Sequence, residues 1–297
     1  MTSIDHEPAA PAAPNDLAAM RKPLDAEIDV YGLTHQGKVR TQNQDNFLIA
    51  TLHKRVEVKL SSLPPDSAGP SGDERLAFVA MVADGVGGTE HGEAASRLAV
   101  ESASEYVAEA MRCYYGAGPS EASLTEVLGQ AALRCHEHVC QHAVAENIRS
   151  MATTLTLFLG VWPWTYLLQV GDSRCYMLRK GVLTQLTRDQ TMAQELMDLG
   201  VMAPTEASRS RLSHVLSSAI GGQTSMPIVT KLPSEWHNVF LLCSDGLTRH
   251  VADERIREVL TSMTSAKQAC ETLLQEALDD GGTDNITIVI GRAVPAA

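Results

Sequence analysis

The chain has 297 residues, 44% of them apolar and 20% charged, enough for one large domain or two modest ones with a real core. Its net charge of -12 argues against binding the polyanionic surface of nucleic acid. No apolar run reaches the roughly 18 residues of a membrane span, and "MTSIDHEPAA" lacks the basic and apolar regions of a secretory signal. Six cysteines without a CxxC pair read as reduced thiols, and the expected location is the cytoplasm.

Residues 1–26, rich in Ala and Pro, read as a disordered leader, 27–292 as the folded domain and 293–297 as a tail. "IDVYGLTHQG" and "NFLIATL" predict strands, "RVEVKL" continues the second, and "SSLPPDSAGPSGDE" is a Pro/Gly/Ser loop. "RLAFVAMVAD" is a buried strand. Two helices follow, about 91–115 and 120–147, the first with Ala94, Ala95, Leu98, Ala99, Ala103 and Val107 at helical spacing. "ATTLTLFLGV", "TYLLQVGD" and "CYMLRKG" are strands, with "WPW" at a hairpin tip. A helix near 189–199 ends at Gly200, and 201–226 is irregular. "NVFLLCSDGL" is a strand, "DERIREVLTS" and "SAKQACETLLQEALDDG" are helices, and "DNITIVIGR" is a closing strand. Hairpin connections and paired helices favour antiparallel sheets with helix pairs outside, an α+β fold, over a doubly wound parallel sheet.

Four aspartates share one setting. Asp45 precedes a strand, Asp84 and Asp245 end strands and are followed by glycine, and Asp284 precedes a strand. Strand ends are where a rigid sheet can position a ligand group. Each aspartate alone also reads as a turn former. Taken together, carboxylates without histidine or cysteine suit hard cations such as Mg2+ or Mn2+ and not zinc.

"RTQNQD", "VADGVGG", "ATTLT", "VGDSR", "CSDGL" and "GGTDN", in this order, resemble the PPM family of metal-dependent serine/threonine protein phosphatases (type 2C) in its bacterial form. The resemblance covers about 27–292 and implies a four-layer αββα sandwich. It implies that Asp84 bridges two Mn2+ or Mg2+ ions, with the Gly85 carbonyl on one of them. Asp245 and Asp284 would hold the other ion, and Asp45 would bind or orient metal-bound water. Arg40 would grip the substrate phosphate, a bidentate task suited to guanidinium. Asp172 in "VGDSR" matches a supporting position. The implied chemistry is in-line attack on phosphorus by a water that two metals acidify, without a phosphoenzyme.

The chain departs from the family pattern in several places. Asn147 stands where many bacterial relatives place an aspartate for a third metal, and Ala152 replaces the usual glycine, so a third metal is expected to be weak or absent. Gln44 stands where relatives commonly have glutamate. Val86 stands where many eukaryotic relatives have histidine, so water is the expected proton donor, with His91 a remote candidate. Gly87 and Gly88 are expected to leave room for metal-bound waters and phosphate. Arg209 and Arg211, in the variable flap 201–226, allow two readings, guidance of phosphopeptides or a solvated loop.

"CHEHVCQH" (135–142) places His138 and His142 at i, i+4, but zinc would need ligands from elsewhere, and a polar helix face is the preferred reading. "WPW" reads as a hydrophobic tip, with partner docking as its alternative. The expected substrates are phosphorylated proteins, with a cognate Ser/Thr kinase as the natural partner and a monomer as the natural state. A pseudophosphatase that binds phosphoproteins is the alternative. A regulatory phosphatase acting on one anti-sigma-factor antagonist is disfavoured by the lack of a sensor segment.

Overall fold

A computed structural model describes residues 21–56, 72–86, 91–117, 121–207 and 210–295. The proposed strand at 57–60, Gly87, Gly88, Arg209 and most of the leader lie outside the described residues.

Eleven strands among these form two sheets in which every pairing is antiparallel. The first sheet contains β1 (Ile28–His35), β7 (Arg174–Arg179), β8 (Val182–Gln185), β10 (Val239–Cys243) and β11 (Ile286–Ala293), in the order β1-β11-β10-β7-β8. The second contains β2 (Asp45–Val56), β3 (Gly72–Val86), β5 (Leu155–Val161), β6 (Trp164–Val170) and β9 (Ile228–Pro233), in the order β2-β3-β5-β6-β9. The two-residue β4 (Ala152–Thr153) pairs with the end of β3.

The four long helices come in two pairs, as the element order predicts. α1 (His91–Ala117) and α2 (Glu121–Ala145) cover the second sheet. α3 (Met192–Asp198), α4 (Pro204–Ala207) and the one-turn α5 (Asp245–Thr248) sit in connections. α6 (Asp253–Ser262) and α7 (Ala266–Asp279) cover the first sheet. The architecture is the expected αββα sandwich.

The core explains why β3 reads as an unbroken apolar run. Val79, Met81 and Ala83 face the α1/α2 layer, while Ala80 and Val82 face the other sheet. With period-2 alternation and both faces buried, every residue must be apolar. β10 does the same, with Leu241 and Cys243 toward the helices and Leu242 between the sheets. On α1, Ala95, Ala99, Ala103 and Val107 form the buried stripe. Ala94 and Leu98 pack at its margin.

Thr191 caps α3 by accepting from the Gln194 amide at 3.2 Å, and Gly200 follows the helix. β8 and β9 carry no clear sequence signal. Both are edge strands, short and half exposed, and β9 ends in proline. The 201–226 stretch is less irregular than expected, since it contains α4 and a 3-10 turn at Arg211–His214.

The last residues of the expected leader are held in place. Arg21 makes two hydrogen bonds to the Glu27 carboxylate (2.8 and 2.7 Å), and its carbonyl accepts from Trp236 Nε1 at 3.1 Å. In the "CHEHVCQH" helix, His138 Nδ1 pairs with Ser102 Oγ at 2.7 Å. His136 Nδ1 accepts from the Gly221 amide at 3.1 Å. These histidines tie α2 to α1 and to the flap. The five cysteines with described side chains are free thiols. No helix among the described residues is long and apolar enough to cross a membrane.

Candidate active site

Strand register makes the first contact of the site. β2 begins at Asp45 and runs antiparallel to β3 so that Asp45 lies directly opposite Asp84. Directly opposed like charges destabilise a sheet unless something offsets them. The Asp84 backbone is clamped by "ATTLT". Its amide donates to Thr154 Oγ1, and its carbonyl accepts from Thr153 Oγ1 and the Thr154 amide, each at 2.9 Å.

Asp45 joins the two sheets. Its Oδ2 accepts from Ser244 Oγ and from Thr287 Oγ1, both at 2.7 Å, and both donors belong to the first sheet's side. Its Oδ1 is buried and has no hydrogen-bond partner. A buried carboxylate oxygen without a donor is costly, and a cation is the partner that suits it.

The glycines of the two Asp-Gly pairs serve close approach of neighbouring backbone. A Cβ on Gly85 would lie 2.3 Å from the Gly92 carbonyl oxygen in the first turn of α1. One on Gly246 would lie 1.9 Å from the carbonyl oxygen of Asn285. Gly246 therefore sets how near α5, which carries Asp245, comes to the segment that carries Asp284.

Asn285 organises the loop that bears Arg40. Its Oδ1 accepts from the Gln44 amide, and its Nδ2 donates to the carbonyls of Gln36 and Gln42, all at 2.9 Å. Arg40 grips Asp284 with a guanidinium fork, Nε to Oδ1 at 2.7 Å and an Nη to Oδ2 at 2.8 Å. Arg249 donates to Asp284 Oδ2 at 2.9 Å and also to Asp245 Oδ2. His214, at the end of the 3-10 turn, favours the Asp245 carboxylate when protonated.

Crowding shows in the acidities. Burial, with the like charges of Asp245 and Asp284, outweighs the hydrogen bonds from Ser244 and Thr287 and pushes the Asp45 carboxyl up to about 6. Burial and then Asp45 raise Asp84 well above the ordinary carboxylate range, and burial raises Asp245. Asp172, 9% exposed, is pushed up to about 8 by burial and by Asp245 and Asp189.

The four predicted aspartates, Gly85 and Arg40 thus come together at one end of the sandwich. An apolar cavity of about 120 Å³, lined in part by Phe78, Phe158 and Phe240, lies toward the other end. Among the described residues no three His, Cys, Asp or Glu side chains close on one point to hold an ion as they stand. The guanidiniums of Arg40 and Arg249 lie on both oxygens of Asp284 and on Oδ2 of Asp245. Asn147 lies exposed beyond the end of α2 with φ 57°, a left-handed conformation asparagine tolerates well.

Sequence reasoning assigned no role to Ser244, Asn285, Thr287 or Arg249. Ser244 and Asn285 flank the predicted aspartates in "CSDGL" and "GGTDN", and Thr287 lies three residues after Asp284. Arg249 is four residues after Asp245, the spacing of a helical ion pair.

The sandwich is an architecture shared with solved protein phosphatases. The chain belongs to the Protein phosphatase 2C family, whose profile matches residues 64–280. The serine/threonine protein phosphatase PstP of Mycobacterium tuberculosis is 33% identical over 215 residues, 72% of this chain and 40% of PstP. The chain therefore spans 40% of the length of that relative. The serine/threonine phosphatase Stp of Listeria monocytogenes is 29% identical over 214 residues, 71% of this chain and 83% of Stp. The catalytic domain of PstP in complex with 2 manganese ions superposes with a TM-score of 0.68 at 29% identity, over 90% of this chain and 99% of that one.

Proposed function

We propose that this chain hydrolyses phosphoserine and phosphothreonine on proteins with the help of two Mn2+ or Mg2+ ions, its catalytic unit being residues 27–292. The observation that carries the reading is the Asp45–Asp84 cross-strand pair, one of whose buried oxygens lacks a donor. Asp245 and Asp284 stand beside it, in a fold shared with a manganese-bound phosphatase domain. An all-oxygen donor set of this kind fits hard divalent cations.

Asp84, the Gly85 carbonyl, Asp45, Asp245 and Asp284 would hold the ions. When bound, such ions supply Lewis acidity and an acidified water for in-line attack on phosphorus. The chain's own residues do the positioning. Thr153 and Thr154 fix the Asp84 backbone, and Ser244 and Thr287 turn Asp45 so that Oδ1 faces away from their hydroxyls. The Arg40 fork, held at the cleft by the Asn285-braced loop, matches two phosphate oxygens as well as it matches Asp284. A third metal is weak or absent in this reading, because Asn147 is a neutral and weaker ligand than an aspartate at that position.

In the cell the chain would oppose a Ser/Thr protein kinase in the cytoplasm, as a monomer. The test is hydrolysis of a phosphothreonine peptide and of a small aryl phosphate with Mn2+, with and without chelator. Asp84→Asn is expected to abolish turnover while cooperative unfolding survives. A folded chain without chelator-sensitive turnover rejects the enzyme and leaves the phosphoprotein-binding alternative.

A further inference from the structure

The carboxylate cluster contains two cations of its own, and they are not equivalent. Arg40 grips both oxygens of a single carboxylate, Asp284. Arg249 links two carboxylates that come from different elements. One Nη donates to Asp284 Oδ2 at 2.9 Å and the other to Asp245 Oδ2. Its side chain is 30% exposed, and those of Asp245 and Asp284 are 17% and 13% exposed. Solvent therefore screens these contacts less than it would a surface pair.

Arg249 is also anchored at its backbone. It is the C-cap of α5, and its amide donates to the Asp245 carbonyl at 3.0 Å. A guanidinium and a divalent ion compete for the same Oδ2 oxygens, since neither oxygen can serve both at full strength. One further observation agrees with such competition: among the described residues, Asp45 Oδ1, which no arginine reaches, is the buried carboxylate oxygen left without a partner.

We infer that Arg249 is an internal counter-cation: it latches Asp245 to Asp284 when no divalent ion is bound, and its side chain is displaced when an ion enters. This inference rests on the metal-dependent reading above. The latch lowers the mutual repulsion of the acidic cluster in the metal-free chain. It also weakens metal binding, because the two ion pairs must be given up before the oxygens are available.

The test uses the full chain stripped with chelator, with Mn2+ as the probe and binding read by calorimetry and by the electron spin resonance of free Mn2+. Arg249→Met, which keeps length and removes charge, is expected to bind Mn2+ about tenfold tighter or better. Its metal-free melting temperature should fall, and the rise in melting temperature on adding Mn2+ should widen. Arg249→Lys, a point charge that cannot fork across two carboxylates, should lie between the two. In the unaltered chain, saturating Mg2+ should move the side-chain 15N resonances of Arg249 and shorten their hydrogen-exchange protection. This last readout needs no variant to fold.

Mn2+ affinity that is unchanged or weaker in a folded Arg249→Met chain, or Arg249 resonances that Mg2+ leaves in place, overturns the latch. A raised KM for phosphopeptide with unchanged Mn2+ affinity overturns it too, in favour of a phosphate-gripping role. Failure of the unaltered chain to bind Mn2+ at all overturns the metal-dependent reading itself, so the two failures are distinguishable.

Discussion

Removing metal should make the stability of this protein fall as pH rises. In the metal-free fold the Asp45 carboxyl lies at about 6 and that of Asp172 at about 8, against 3.8 for an ordinary aspartate. The folded pKa exceeds the unfolded one in both cases, so the fold binds more protons than the unfolded chain across the window from about pH 4 to about pH 8. Stability therefore decreases with pH in that window. At roughly 1.4 kcal/mol per pH unit, Asp45 accounts for about 1.4 kcal/mol between pH 5 and pH 8, and Asp172 for about 4 kcal/mol. The two belong to one cluster and share their repulsion, so a net loss of about 3–5 kcal/mol is expected. The assay is urea unfolding of the chelated chain at intervals from pH 5 to pH 8, repeated with saturating Mn2+. The metal should remove or reverse the slope, because bound cations favour the ionised carboxylates and their affinity rises with pH. Metal-free stability that is level or increases from pH 5 to pH 8 would refute the crowded-carboxylate account.

Gly246→Ala places a Cβ 1.9 Å from the Asn285 carbonyl, so α5 and the Asp284 segment must part by about 1 Å to reach even a 3.0 Å contact. Denaturant titration should show a loss of about 1–3 kcal/mol, together with weaker Mn2+ binding. Thr287→Val removes one of the two hydroxyl donors to Asp45 Oδ2 and should weaken Mn2+ about 10–100-fold while the chain stays folded. Calorimetry that found native affinity in this variant would show that Asp45 needs no orientation. Asn147→Ala should leave the number of Mn2+ sites unchanged and lower stability slightly, since alanine fits φ 57° less well. Three tight sites in the unaltered chain, one of them lost in Asn147→Ala, would restore a third metal.

Much of this fold is legible in the sequence. The apolar runs of β3, β5, β6, β10 and β11 and the alanine stripe of α1 announce themselves because their residues are buried on both faces or along one. Edge strands were harder to see. "VLTQ" and "IVTKLP" have one partner strand and a solvated side, and nothing in four to six half-polar residues separates them from loop. "CSDGL" reads as strand to its end, yet the strand stops at Cys243 and Asp245 opens a one-turn helix. Single-residue changes of element like this are decided by what packs against the turn, here the Asn285 backbone.

The order of elements, the paired helices and the four aspartates near strand ends follow from periodicity and residue chemistry, which are local properties of the chain. Tertiary structure alone decided how the aspartates meet. Antiparallel register sets Asp45 against Asp84. Hydroxyls from the opposite sheet hold one oxygen of Asp45 and leave the other bare. A glycine without a Cβ lets the Asp245 and Asp284 segments touch. Which cation sits on those carboxylates is decided there too, since Arg40 and Arg249 reach Asp284 from 244 and 35 residues away in the chain. Electrostatic pairing depends on distance in space, and only folding sets that distance.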